Sequence, residues 1–221
     1  MKIELHSHTR HSRDCLLDYD TIIDVCQRRG IAALAVTDHN EIEGAFEMRR
    51  RAPFPVIVGE EVFTEQGEVI GLFLRELIPR GLSVQETIAR IKDQGGLVYV
   101  PHPFDSYRKG AIGRDTLDAI RPEIDLIEVL NARNIRYPDD ARAYWYAREH
   151  GLVMAAGSDA HSAGEFGVAY LEMEPFDGPA DFLEKARCGR VRGGHSPSLV
   201  HFLSSYAKMH KRVSRRLGRP V

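Results

Sequence analysis

Ile31-Ala32-Ala33-Leu34-Ala35-Val36, running straight into Thr37-Asp38-His39-Asn40, is the stretch that decides the fold. A strand with one wet face alternates apolar and polar residues. An unbroken apolar run this short suits a parallel strand buried on both faces. Parallel strands need long crossovers, so helices are expected on either side. Toward the N-terminus, Asp20 to Cys26 is amphipathic, with Asp20 as its cap and Gly30 as its stop. Before it, Ile3-Glu4-Leu5-His6-Ser7-His8-Thr9 alternates as a strand does. Toward the C-terminus, Glu41 to Arg51 reads as a polar helix closed by Pro53 and Pro55, and Val56-Ile57-Val58 as the next strand.

The rhythm continues. Glu68 to Leu74 reads as a hairpin arm, and Ser83 with Glu86 forms a capping box for a helix that ends at Gly95-Gly96. Leu97 to Val100, Asp125 to Leu130, Val153 to Ala156 and Val168 to Met173 read as further strands. Pro138 to His150 and Pro179 to Cys188 read as helices. The alternation predicts a single α/β domain over residues 1–195, followed by a basic C-terminal extension over 196–221. In such folds the chemistry sits at the carboxyl ends of the strands.

Those ends carry His6 and His8, Asp38 and His39, Glu60 and Glu61, His102, Asn131 and Arg133, and Asp159 and His161. Alternate strand residues share a face, so His6 and His8 aim at one spot, and Asp14 can fold back from the loop. Asp38 reads as the N-cap of the following helix. The rest converge as a metal site. They offer more imidazoles and carboxylates than one tetrahedral ion can use, which predicts two or three ions with shared ligands. Mixed nitrogen and oxygen donors suit Zn, Mn or Fe(II) better than Mg or Ca. Ions roughly 3.5–4 Å apart can bind a phosphoryl group and stabilise both oxygens of an in-line displacement. No serine elbow or glycine-rich phosphate cradle is present, so metal-activated hydroxide is the simplest nucleophile. Arg133 is a candidate to grip a phosphate oxygen, with a surface salt bridge as the open alternative.

Across 221 residues the net charge is −2, which argues against general nucleic-acid affinity. The basic residues Lys208, Lys211, Arg212, Arg215, Arg216 and Arg219 nevertheless crowd the C-terminus, with no acid among them. This segment could be an amphipathic helix resting on the barrel through Leu199, Phe202, Leu203 and Tyr206. It could instead attract short nucleic acid. Cys15, Cys26 and Cys188 have no Cys-x-x-Cys spacing, which predicts reduced thiols. No apolar leader or membrane-length run is seen, so a cytoplasmic protein without a membrane partner is expected. No obligate protein partner is evident.

His6-x-His8 with Asp14, Thr37-Asp38-His39-Asn40, Gly59-Glu60-Glu61, Pro101-His102-Pro103 and Gly157-Ser158-Asp159-Ala160-His161 resemble the successive motifs of the PHP family, named for polymerase and histidinol phosphatase domains. The resemblance covers about residues 1–195. It implies a distorted (β/α)7 TIM-like barrel, a cluster of two or three metal ions, and hydrolysis of phosphoesters. It places His6, His8, Asp14, His39, Glu61, His102, Asp159 and His161 in the metal shell; His161 joins Arg133 as a catalytic candidate. Where many relatives carry a Gly-His after that glutamate, this chain has Gly67-Glu68, so Glu68 is either a carboxylate ligand or a solvated hairpin residue. The chain between Glu68 and His102 is too short for an inserted cap domain, so an open mouth is expected. The implied substrates are a nucleotide, nucleoside bisphosphate or oligonucleotide end, or a small metabolite of the histidinol-phosphate kind. A non-catalytic metal-binding module and amide hydrolysis are the alternatives.

Overall fold

The computed structural model describes residues 1–218. Gly218 to Val221 was assigned to no helix or strand by its sequence, and from Arg219 on it lies outside the described residues. Seven strands follow one another round a wall: β1 (Lys2–Glu4), β2 (Ile31–Val36), β3 (Val56–Thr64), β4 (Gly67–Leu72), β5 (Leu97–Val100), β6 (Leu126–Asn131) and β7 (Val153–Gly157). Between them lie α1 (Tyr19–Arg28), α2 (Glu43–Arg51), α3 (Val84–Asp93), α4 (Arg114–Ile120) and α5 (Tyr137–His150). β8 (Ala169–Glu172), α6 (Gly178–Ala186), β9 (Arg190–Gly193) and α7 (Val200–Arg216) complete the chain.

The sheet order is β7-β6-β5-β4-β3-β2-β1-β8-β9. β4 runs antiparallel to both β3 and β5, because a hairpin and not a helix joins it to β3. The wall closes at its mouth where Ser7 bridges Ala160: His8 N–H donates to Ala160 O at 3.0 Å, and Ala160 N–H to His6 O at 3.3 Å. The result is an α/β barrel of TIM-like form, as the sequence implies.

Period-two alternation splits the apolar strand residues between two cores. Leu34, Val36, Val58, Val98, Val100 and Ile127 pack outward against the helices. Ala33, Ala35, Ile57, Tyr99, Leu126 and Ala155 fill the interior. This is why β2 reads as continuously apolar. The end of the barrel away from the mouth is plugged by aromatic edges: Phe73 lies 5.4 Å from Phe182, and Phe176 lies 5.0 Å from Phe182.

Several local expectations change. Asp18, not Asp20, caps α1, its Oδ1 accepting from Thr21 N–H at 2.8 Å. Asp38 caps nothing. It is buried and accepts from the N–H groups of Thr9 and Ser12 at 2.7 and 3.2 Å and from their hydroxyls at 2.6 and 2.7 Å. The loop after β1 supplies so many donors that the carboxylate is spent there, and α2 begins later without a side-chain cap. Gly44 stays bare because a Cβ would overlap the Asp38 carboxylate. Ser83 does cap α3, accepting from Glu86 N–H at 3.2 Å.

The C-terminal extension is a helix seated on the barrel, but by the opposite face from the one its apolar residues suggest. Val200, Ser204, Ala207, Lys211 and Ser214 are buried, whereas Leu199, Phe202, Leu203 and Tyr206 are exposed. Small residues face inward because α7 lies close across the loop that follows β1. There Lys211 is only 3% exposed, and its ammonium donates to the carbonyl of Arg10 and, at 2.6 Å, to that of Ser12.

Candidate metal centre

The strand ends bring His6, His8, Asp14, His39, Glu61, Glu68, His102, Asp159 and His161 into one cluster at the barrel mouth. All are buried except His39, which is nearly so. Glu61 rather than Glu60 points in, since alternation turns Glu60 to the other face. There Glu60 accepts from Ile78 N–H at 2.8 Å, and burial pushes its carboxyl up to about 8. Glu68 arrives by the reversal of β4: an antiparallel strand begins at the same end where its neighbours finish.

The donor atoms sort into sets. His6 Nε2 lies 3.4 Å from Glu61 Oε2 and 3.7 Å from Asp159 Oδ1, while His8 Nε2 lies 3.6 and 3.1 Å from the same two oxygens. A tetrahedron with bonds of about 2.1 Å has edges of about 3.4 Å, close to these four separations; donor atoms of His6, His8 and Glu61 all lie within 4.8 Å of one another, as do those of His6, His102 and Asp159. Asp14 lies 3.5 Å from His39 Nε2 and 3.2 Å from His161 Nε2. His102 Nε2 lies 3.0 Å from Glu61 Oε1 and 3.8 Å from Glu68 Oε2, giving a third set joined to the first through Glu61. In the first set His6 Nε2 is buried without a hydrogen-bond partner, while Glu61 Oε2 lies 2.8 Å from His39 Nδ1. An unpaired buried donor facing others at ligand spacing is what a divalent ion would satisfy. The residues fit such ions. Glu68 is placed for the role, and a Cβ on Gly110 would overlap its carboxylate.

Charge within the cluster is strongly coupled. Burial alone would raise the Asp14, Glu61 and Asp159 carboxyls. His161 and His39 around Asp14, His39 and His6 around Glu61, and Arg108 and His6 around Asp159 hold all three below the usual carboxylate range. Glu68 is the exception: burial, then the neighbouring Glu61, pushes it up. His8 is lowered by burial and by the His161 and His39 rings, which leaves the neutral imidazole that a metal needs. Both His102 and Asp159 adopt positive φ, at 28° and 51°. Left-handed backbone at non-glycine residues is costly and concentrates at functional sites.

Sequence reasoning missed the supports. Glu128 is buried beneath the cluster. It accepts from Tyr99 Oη at 2.7 Å, His102 N–H at 2.7 Å and Asn131 Nδ2 at 2.8 Å, and it lies 3.1 Å from His6 Nδ1. Such a carboxylate on the far nitrogen fixes a ligand ring and its tautomer. Glu4 does similar work, accepting from the N–H groups of His6, Ser158 and Gly167 at 3.2, 2.8 and 2.9 Å. Both were legible as charges inside otherwise apolar strands. Arg108 was not: it sits in an irregular loop, yet its Nη1 lies 2.7 Å from Asp159 Oδ2.

Arg133 is not a surface residue. It is 5% exposed, its Nη2 donates to Ser204 Oγ on α7 at 2.8 Å, and its Nη1 lies 3.3 Å from Glu165. Arg108, Lys109, Arg133 and Lys208, with Tyr107 and Phe63, line a cavity of about 490 Å³ over the cluster. Lys208 reaches in from α7 to within 3.2 Å of Asp14 Oδ2. The mouth is thus unobstructed by an inserted domain but walled on one side by α7.

The chain matches a family model described as PHP-associated over residues 139–191. It is 40% identical over 145 residues to the uncharacterized protein MJ1587 of Methanocaldococcus jannaschii, covering 60% of this chain and 82% of that protein. Its fold is similar to a two-domain protein of Bacteroides vulgatus described as containing a predicted PHP-like metal-dependent phosphoesterase. The TM-score is 0.69 at 18% identity, covering 88% of this chain and 65% of the other. It is also similar to an amidohydrolase of Chromobacterium violaceum with bound sulfate, at TM-score 0.62 and 18% identity, over 93% of this chain and 96% of that one. With strand-end motifs in order, donors at ligand spacing and a fold shared with PHP-like proteins, the chain belongs to the PHP family.

Proposed function

We propose that this protein is a metal-dependent hydrolase of phosphate esters, with residues 1–195 supplying the metal site and α7 completing the wall of the cavity above it. The observation that carries the reading is a run of overlapping donor sets, His6 with His8 and Glu61, His6 with His102 and Asp159, His8 with His39 and His161, and His39 with Glu61 and Glu68, each with its atoms within 4.8 Å of one another. Two or three Mn, Zn or Fe(II) ions would be held by His6, His8, Asp14, His39, Glu61, Glu68, His102, Asp159 and His161. When bound, such ions supply Lewis acidity toward a phosphoryl oxygen and acidify water. The chain's own groups do the rest. Arg108, Lys109 and Lys208 at the rim attract the anionic ester, and the buried guanidinium of Arg133 presents a rigid fork to a phosphate oxygen. Ser204 and Glu165 hold that fork in place. Glu128 and Glu4 keep His6 oriented. His161, whose Nδ1 lies 2.8 Å from the Asp159 carbonyl, presents Nε2 to Asp14 and the cavity.

Substrates of this reading are a nucleotide, a nucleoside bisphosphate, an oligonucleotide end, or a small phosphorylated metabolite. Arg212, Arg215 and Arg216 remain exposed on α7 to meet a longer polyanion, whereas Lys208 and Lys211 are engaged with the barrel. The test is phosphate release by Mn-loaded protein across that panel. Release from none of them, with release of acid from simple amides, would replace this reading with amide hydrolysis.

Two expectations follow from the ligand sets. Metal-stripped protein should melt lower than Mn-reconstituted protein. At a hundredfold excess over Kd the stabilisation is about 2.7 kcal/mol, which corresponds to roughly 5–10 °C in a chain of this size. An unchanged melting curve on reconstitution would contradict the site. Glu68→Ala should lower metal content by part of one equivalent while leaving the set of His6, His8 and Glu61 loaded. Gly110→Ala should reproduce that loss, because its new Cβ occupies the space of the Glu68 carboxylate. If neither substitution alters stoichiometry by elemental analysis, Glu68 is a hairpin residue and no ligand.

A further inference from the structure

Helix α7 carries three stripes. Val200, Ser204, Ala207, Lys211 and Ser214 face the barrel. At about 100° per residue, an apolar stripe centred on Tyr206 lies about 120° further round. It comprises Leu199 (69% exposed), Phe202 (71%), Leu203 (50%), Tyr206 (56%), Met209 (60%), Val213 (49%) and Leu217 (60%). The basic residues Lys208, Arg212, Arg215 and Arg216 fill the remaining sector.

Within the stripe, Leu199, Phe202, Tyr206, Met209 and Val213 are spaced three, four, three and four apart. This is the repeat that seats one helix in the groove of another. The stripe exposes on the order of 800 Å², about what each partner contributes to a standard interface, and more than a monomer ordinarily shows in one patch. The barrel cannot explain why α7 forms, since Val200 and Ala207 are the only apolar residues it buries. A helix of this length draws most of its stability from packing an apolar face, and this one has left its larger face unpacked.

We propose that this stripe is the interface with a second copy of this chain, α7 pairing with α7 in antiparallel fashion about a two-fold axis near Ala207 and Lys208. That axis sets Phe202 opposite the partner's Val213 and Tyr206 opposite the partner's Met209. Leu199 then lies one residue from register with the partner's Leu217. The antiparallel sense places the basic C-terminal turns at opposite ends, where a parallel pair would stack Arg215 and Arg216 on their copies, and it aligns the helix dipoles favourably. The pairing is isologous and closes at two chains. It does not rest on the proposed reaction.

The test uses the full chain in a Cys188→Ser background, so that the exposed native thiol cannot cross-link. Sedimentation velocity at micromolar protein should give a two-chain species, and Phe202→Asp/Val213→Asp should give a single chain with unchanged metal content and circular dichroism. Tyr206→Cys and Met209→Cys proteins should form a disulfide-linked dimer on mild oxidation when mixed, and little when each is alone. A single-chain wild type at 100 µM, or a dimer untouched by the double substitution, would overturn the proposal. Cross-linking of Tyr206→Cys with itself alone would overturn the antiparallel register. A single-chain species that instead co-floats with phosphatidylserine vesicles would reassign the stripe to lipid. If the double substitution loses its circular dichroism, the oxidation pattern decides alone.

Discussion

Glu128→Ala should destabilise the protein by about 3–5 kcal/mol, the cost of stripping one member from a buried charged hydrogen-bond network. The substitution leaves the Tyr99 hydroxyl, the His102 N–H and the Asn131 amide without their acceptor inside the barrel, and frees the His6 ring. In a chain of this length that loss corresponds to about 6–20 °C in melting temperature. Metal affinity should fall by about 10–100-fold on top of the stability loss, because His6 no longer has its tautomer and orientation imposed. Glu128→Gln separates the two effects: its amide oxygen can replace Oε2 and accept from His102 and Asn131, while its amide nitrogen replaces Oε1, donating to a turned Tyr99 hydroxyl and offering His6 Nδ1 a donor in place of an acceptor, so stability should largely return while metal affinity stays reduced. Thermal melts of stripped and loaded protein give both numbers. A Glu128→Ala protein that melts with the wild type would remove this residue from any supporting role.

Asp159→Asn should have the largest effect on function. It withdraws the carboxylate charge that faces His6 and His8 and frees Arg108, whose guanidinium lies 2.7 Å from the same carboxylate. Asparagine is chosen because Asp159 has φ of 51°, a conformation that asparagine tolerates and alanine does not. The fold should therefore persist while at least one ion equivalent is lost, with metal affinity down by more than the roughly 100-fold that a supporting residue commands. Phosphate release should fall with it. Full metal content in Asp159→Asn, measured by elemental analysis beside its melting curve, would exclude this carboxylate as a ligand.

The sequence made the wall and most of the cluster readable for one reason: both depend on local periodicity. Apolar runs such as Ile31 to Val36 announce buried strands, and alternation sends some of the polar groups past such a run to the mouth, as it does His39 and Glu61 but not Asp38 or Glu60. The reversal of β4 was visible only as a hairpin arm, so the position of Glu68 could be stated as alternatives and no more. Asp38 was misread because its partners, Thr9 and Ser12, are remote in sequence, and capping is a local pattern that a tertiary loop outcompeted. Arg108 carried no signal at all, and Lys208 only its place at the start of the basic tail. A lone cation in a loop or on a basic helix looks the same whether it meets solvent or Asp159. For α7, hydrophobicity pointed to the wrong face, because close packing against the loop after β1 selected small residues over large ones.

The aromatic plug of Phe73, Phe176 and Phe182 has a consequence for traffic. With that end stopped, the barrel is a cup and not a tunnel, so everything that enters over Tyr107 and Lys208 must leave the same way. Under the proposed hydrolysis, the freed alcohol departs first from the outer cavity, and inorganic phosphate, held deeper among the cations, leaves last. Free phosphate should then compete with the ester for the vacant cup, and turnover should slow as product accumulates.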